Sequence, residues 1–163
     1  MVTVFIDIGS NINREDNIQS CVDQLCADFT HVKFSKAYES EAFGFDGDNF
    51  INLSAKLETD LSFDALNTYL KSLENKHARK RNKKKFIDRT LDVDILLYGD
   101  LVLQPKKDLP RKEILKFPFV LFPLAEIAGD VIHPVEKISI NEIVNKSSLD
   151  KNSIREVVGF PRL

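Results

Sequence analysis

Between residues 2 and 98 the spacing of apolar side chains switches back and forth between two periods. The order of those switches restricts the fold more than any composition figure does. Residues 2–9 alternate and run into Gly-Ser-Asn, which reads as a strand entering a turn. Residues 16–28 set Ile18, Val22, Leu25 and Cys26 (or Phe29) on one stripe of a helix. Residues 32–38 read as a second strand, 40–49 as a Gly- and Asp-rich loop, and 50–57 as a third strand. Ser62 suits the N-cap of a helix that turns Phe63, Leu66, Leu70 and Leu73 inward and runs toward residues 74–77. A charge-dense loop follows, and residues 89–98 alternate again.

Strand, helix, strand, strand, helix, strand is the ferredoxin-like βαββαβ order, an α+β fold with an antiparallel sheet. Added C-terminal elements are expected to make it a three-layer αβα arrangement. They are a short hairpin or added strand at 101–109, a helix at 119–128 behind Pro118, and a short helix at 139–145 capped by Ser139. The length of 163 residues suits one domain with a single core.

Several function classes drop out on composition. The net charge is −2, so bulk charge does not make this a polyanion binder, and no nucleic-acid partner is expected. No run of about 18 apolar residues exists, so no membrane span is expected. The N-terminal MVTVFIDIGSN lacks a basic lead and already carries Asp7, so it reads as the first strand rather than a signal peptide. Cys21 and Cys26 share one helix and read as reduced thiols of a cytoplasmic protein. Neither GxxxxGK[ST] nor GxGxxG occurs, and His31, His77 and His133 are too dispersed to suggest a Ser-His-Asp arrangement.

Chemistry concentrates between residues 76 and 98. KHARKRNKKKFIDR holds eight lysines and arginines, and the strand RTLDVDILLY follows it directly. Leu91, Val93, Ile95 and Leu97 form one aliphatic face, while Asp92 and Asp94 share the other with Thr90, Leu96 and Tyr98. Two residues apart on a strand, the aspartates stand about 6–7 Å from each other, close enough to hold or bridge hard cations. Magnesium suits such a pair, because it takes one or two carboxylates together with waters and phosphate oxygens. Arg79, Arg81, Lys85 and Arg89 supply cations for a polyphosphate. Metal-binding acids beside a cationic clamp suit phosphoryl transfer, where the protein chiefly positions groups and stabilises charge. Taken singly, an Asp-x-Asp strand is most often a solvated sheet face and a basic loop most often a solvated loop. Their adjacency, on a strand whose other face is core, favours a site.

These residues resemble the hydroxymethyl-dihydropterin pyrophosphokinase family. The resemblance runs in order through IDIGSN, FINLSAKLET, LENKHARKRNKKKFIDRTLDVDILLYGD and FPFVLFPLAEIA, and the third segment is the specific one. It implies a single pterin pyrophosphokinase-like domain over 1–163. The implied reaction is transfer of the pyrophosphoryl group of ATP to the hydroxymethyl group of 6-hydroxymethyl-7,8-dihydropterin, giving AMP, in folate biosynthesis. It implies a pair of magnesium ions on Asp92 and Asp94, with Arg79 and Arg89 as the catalytic cations. ATP contacts fall on Glu74, Arg81, Lys85, Ile95 and Arg111, and the pterin pocket on Ser40, Phe43, Phe50, Asn52, Phe86 and Phe119. Segments 10–16, 42–49 and 78–88 correspond to lids that close over the substrates. A monomer or weak dimer is expected. The residue types agree, since a flat heteroaromatic ligand calls for aromatic faces and an amide that both donates and accepts.

The chain departs from the family pattern at named places. Ala78 stands for a glycine, Phe86-Ile87-Asp88 for Trp-Gly-Pro, Arg111 for a histidine, Phe117 for an arginine, and Ser40-Glu41 for Thr-Pro. Lys80, Lys83, Lys84 and Lys112 offer replacement charge, without the bidentate fork of arginine. Two other readings stay open on sequence: a divergent paralogue acting on another pterin or alcohol, and a non-catalytic nucleotide- or RNA-binding ferredoxin-like module.

Overall fold

The computed structural model of the chain describes residues 1–41, 48–77 and 90–163. Its strands are β1 (Val2–Ser10), β2 (Lys33–Phe34), β3 (Tyr38–Ser40), β4 (Phe50–Thr59), β5 (Asp92–Tyr98) and β6 (Arg155–Glu156). Its helices are α1 (Arg14–Asp28), α2 (Phe63–His77), α3 (Pro118–Ala128) and α4 (Ile140–Lys146). The sheet runs β5-β1-β4-β3-β6, with β2 also on β4, and every pairing is antiparallel. This is the ferredoxin-like order read from the sequence, with α1 and α2 on one face and α3 and α4 on the other.

Alternation along the central strands builds both layers. Val4, Ile6 and Ile8 of β1 join Leu53 and Leu57 of β4 and Val93 and Ile95 of β5 beneath α1 and α2. Phe5 of β1 turns the other way and packs with Leu96, Leu97, Val120, Leu121 and Leu124. Burying each such side chain contributes roughly 1.5–3 kcal/mol, so the two apolar layers clamp the sheet from both sides. The Tyr38 hydroxyl donates to Glu126, which ties β3 to α3. Gln19 exchanges hydrogen bonds with the backbone of Arg162 at 2.7 and 2.8 Å, strapping the C-terminal segment onto α1.

Four local expectations are corrected. Residues 32–38 do not form one strand. Ser35 interrupts it: its hydroxyl accepts from the Ser54 N–H at 2.9 Å while its own N–H donates to the Ser54 carbonyl, and pairing resumes at Tyr38. Residues 101–109 form turns closed by Leu103 N–H on the Leu109 carbonyl, and the added strand is β6, paired with β3. Helix α1 begins at Arg14, which places Glu15 and Asp16 in a first turn that favours acids. In β5 the alternation breaks at a bulge: Phe5 pairs Leu97 but Ile6 pairs Ile95, so Leu96 is the extra residue. Leu97 is thereby moved to the α3 layer, while Tyr98 packs against the α1/α2 core. The expected caps are present, with Ala65 N–H on Ser62 Oγ and Glu142 N–H on Ser139 Oγ, each at 3.1 Å.

Candidate active site

On the α3 face, β1 leaves the apolar layer at Phe5 and continues with Asp7 and Gly9. Strand register turns this into a small grid. Ser54, Asp7 and Asp94 form one row across β4, β1 and β5, and Asn52, Gly9 and Asp92 form the next. Neighbouring strands lie about 4.8 Å apart, so the polar groups of the grid are packed at contact range. The geometry follows from alternation alone once the register is set, because every member has the parity that points away from α1 and α2.

Asp92 and Asp94 stand on the same face, as their spacing predicts, and Glu74 reaches them from α2. One carboxylate oxygen from each lies within 4.8 Å of the others. An all-oxygen set of three acids at a sheet edge has the donor chemistry of a magnesium site. Glu74 also has structural work: its Oε1 accepts the Val93 N–H at 2.8 Å and so covers the outer edge of β5.

Asp94 already carries two cations. Lys71 Nζ donates to its Oδ1 at 3.1 Å and to Glu74 Oε1 at 2.9 Å. Arg111 Nη2 lies 3.4 Å from Asp94 Oδ2 and 3.1 Å from Glu113 Oε1. Partial burial works against the Lys71 ammonium, but Asp94 and Glu74 outweigh it and hold its pKa above the usual lysine value. Arg111, expected to contact ATP, is thus placed beside Asp94.

Asp7 is the unexpected member. It is 6% exposed, and its carboxyl is held well above the usual carboxylate range by burial first and then by Asp94, Glu113 and Asp92, with Asn52 opposing. Asn52 Nδ2 donates to both Asp7 oxygens at 3.3 and 3.4 Å. Sequence reading passed over Asp7, although a lone acid in VTVFIDIG, in phase with Phe5 and Gly9, carries the same signal as the Asp-x-Asp strand. Lys71 was also missed; its signal is the three-residue spacing to Glu74 on one helix face.

The residues expected at a pterin are brought together in part. Ser40 ends β3 opposite Phe50, the first residue of β4. Phe119 opens α3 and stacks on Phe117, centroids 5.0 Å apart and planes 11° from parallel. Ser40, Phe117 and Phe119 line an open cleft of about 670 Å³ that also takes in Ile154 and Arg155. Ile95 is not brought to the acids: its side chain is 4% exposed within the α1/α2 core. Arg79, Arg81, Lys85, Phe86, Arg89 and Phe43 lie outside the described residues.

Fold and site together define an α+β protein with a cation-ready carboxylate group at the edge of an antiparallel sheet. Residues 5–129 match the family model for 7,8-dihydro-6-hydroxymethylpterin-pyrophosphokinase (HPPK). The chain belongs to this family. It is 34% identical over 152 residues to the 2-amino-4-hydroxy-6-hydroxymethyldihydropteridine pyrophosphokinase of Aquifex aeolicus, covering 91% of this chain and 94% of that one. It is 36% identical over 157 residues to the enzyme of the same name from Haemophilus influenzae, covering 90% and 93%. Among solved structures, wild-type Plasmodium falciparum HPPK-DHPS is similar with a TM-score of 0.67 at 11% identity, covering 89% of this chain. At that identity the likeness speaks for the fold. This chain spans 41% of that longer protein.

Proposed function

We propose that this chain transfers the pyrophosphoryl group of ATP to the hydroxymethyl group of 6-hydroxymethyl-7,8-dihydropterin. The acceptor oxygen bonds to the β-phosphorus, the α–β bridge breaks, AMP leaves, and the hydroxyl proton is released. Family membership supports this, and the single observation that carries it is the convergence of Asp92, Asp94 and Glu74 on one point. Asp92 and Asp94 would hold magnesium, which when bound neutralises charge on the phosphate oxygens. Glu74, by capping Val93, fixes the edge of the strand that carries both acids. Arg111 stands against Asp94, within reach of groups held there. Arg79, Arg89, Arg81 and Lys85 are proposed to clamp the phosphates. Asn52, Phe119, Ser40 and Phe50 would orient the pterin, a role that stacking aromatics and a buried amide suit.

The finer expectations belong to the same proposal. Both cysteines are free thiols, which suits work in the cytoplasm. Exposed apolar residues such as Leu101, Ile132 and Val158 are spread along the chain, which suits a monomer or weak dimer. The RNA-binding alternative loses its surface. Bases would need the sheet face on which Phe5 lies, and α3 packs Val120, Leu121 and Leu124 onto it.

The test is AMP release from Mg-ATP with and without hydroxymethyl-dihydropterin, wild type beside Asp94→Ala. Pterin-dependent release that falls on the order of a hundredfold or more in the variant is expected. Pterin-independent release, or a variant as active as wild type, would refute the reading.

A further inference from the structure

Asn52 is 5% exposed, yet its Oδ1 has no hydrogen-bond partner among the described residues. Its Nδ2, by contrast, is engaged by both oxygens of Asp7. The amide lies close over Gly9: a Cβ built on Gly9 would meet Asn52 Nδ2 at 2.6 Å and Cγ at 3.3 Å. So the side chain is confined from below by a residue with no side chain and from one end by a carboxyl group. An asparagine amide has a donor end and an acceptor end of nearly the same shape, and only its neighbours decide which way it turns. With both Asp7 oxygens accepting from Nδ2, the amide is turned with Nδ2 inward and Oδ1 is left over.

We propose that Asp7 is a positioning residue for acceptor recognition, locking the Asn52 amide so that Oδ1 is offered to an N–H donor on the edge of the bound heterocycle. This rests on the reading of Asn52 as an acceptor contact given above. Asp7 does not touch the acceptor; it acts through Asn52. The proposal makes the site selective for a lactam edge, which presents N–H, over a diamino-substituted ring whose corresponding nitrogen only accepts. A mispaired buried acceptor is a strong discriminator, because the lone pair goes unsatisfied.

The location supports a functional role over a structural one. Asp7 sits in the row with Asp94 and is only 6% exposed, so a carboxyl is buried there beside another acid. A buried acid among acids destabilises the fold. Replacing it should therefore keep or raise stability, whereas losing a structural hydrogen-bond partner should lower it.

The experiment compares wild type, Asp7→Ala, Asp7→Asn and Asn52→Ala, reading KM for the pterin, KM for Mg-ATP, kcat, Tm and binding of the 2,4-diamino counterpart. Asp7→Ala is expected to raise the pterin KM about tenfold and to narrow the preference over the diamino ring. Asp7→Asn, which keeps an acceptor for Nδ2, should recover part of that loss. Mg-ATP KM should stay within about twofold, since a change confined to one subsite leaves the other binding step intact. Tm should hold or rise. An unchanged pterin KM in Asp7→Ala overturns the proposal, as does a fall in Tm with both KM values rising together. If Asn52→Ala leaves the pterin KM untouched, it is the reading of Asn52 as an acceptor contact that fails, and the positioning role falls with it.

Discussion

Lys71 Nζ lies 3.1 Å from Asp94 Oδ1 and 2.9 Å from Glu74 Oε1, so an ammonium from α2 already bridges two of the three acids that converge at the sheet edge. A divalent ion entering there competes with it for the same oxygens. Lys71 is 41% exposed, and solvent weakens such a pair to about 1 kcal/mol. Lys71→Met is therefore expected to tighten Mn²⁺ binding to the nucleotide-free protein about fivefold. Titration followed by the EPR signal of free Mn²⁺ checks this. Equal affinity in both proteins would mean that Lys71 only ties α2 to β5.

Gly9 is required for close approach rather than for backbone freedom. In Gly9→Ala the new methyl would collide with the Asn52 amide, and the side chain must yield. Pterin affinity should fall about tenfold or more while Tm changes by only a few degrees, because the strand backbone itself accepts alanine. Calorimetric titration with the pterin beside a thermal melt would decide; an unaltered pterin affinity would show that the amide's position is immaterial.

The two cysteines should behave differently toward a thiol reagent. Cys21 is fully buried, and burial followed by Glu74 pushes its thiol up to about 12. Cys26 is exposed, with its pKa raised by partial burial and then by Asp23. One thiol equivalent should react in the native protein, more slowly than a free cysteine, and the second only on denaturation. Rapid reaction of both would contradict the placement of Cys21 in the α1 core.

His133 predicts a pH-dependent stability away from the site. It is 2% exposed, and its Nδ1 accepts the N–H groups of Val135 and Glu136 at 3.2 and 3.1 Å, which requires a neutral ring. Burial lowers its pKa, with Glu136 opposing. Below the ordinary histidine value of about 6.5 the unfolded chain takes up a proton that the folded chain refuses, so stability falls as pH falls through that value and is level above it. His133→Asn, which keeps an acceptor, should flatten the Tm profile between about pH 5 and 6.5. Parallel profiles for the two proteins would rule this out.

Much of this arrangement was readable in advance. The Asp-x-Asp strand, the inward face of α2, and the caps at Ser62 and Ser139 depend on residues within a few positions of each other, where period and side-chain chemistry speak directly. On α1, Ile18, Val22 and Leu25 turn inward as expected, but Cys21 takes the buried place given to Cys26, which is exposed. Two of the misread places are those where a distant partner intervenes. Ser35 breaks a strand because Ser54 is opposite it, and the β5 bulge is defined against Phe5 of β1.

The sequence by itself determined the order of elements, the face most side chains take on their own strand or helix, and hence that Asp92 and Asp94 stand together. Only the tertiary structure decided which acids and cations meet. Lys71 and Asp94 are 23 residues apart and Asp7 and Asn52 are 45 apart. Periodicity records the orientation of a residue within one element. The register between β1, β4 and β5 and the seating of α2 on β5 come instead from the packing of the whole core, which no local stretch of chain encodes.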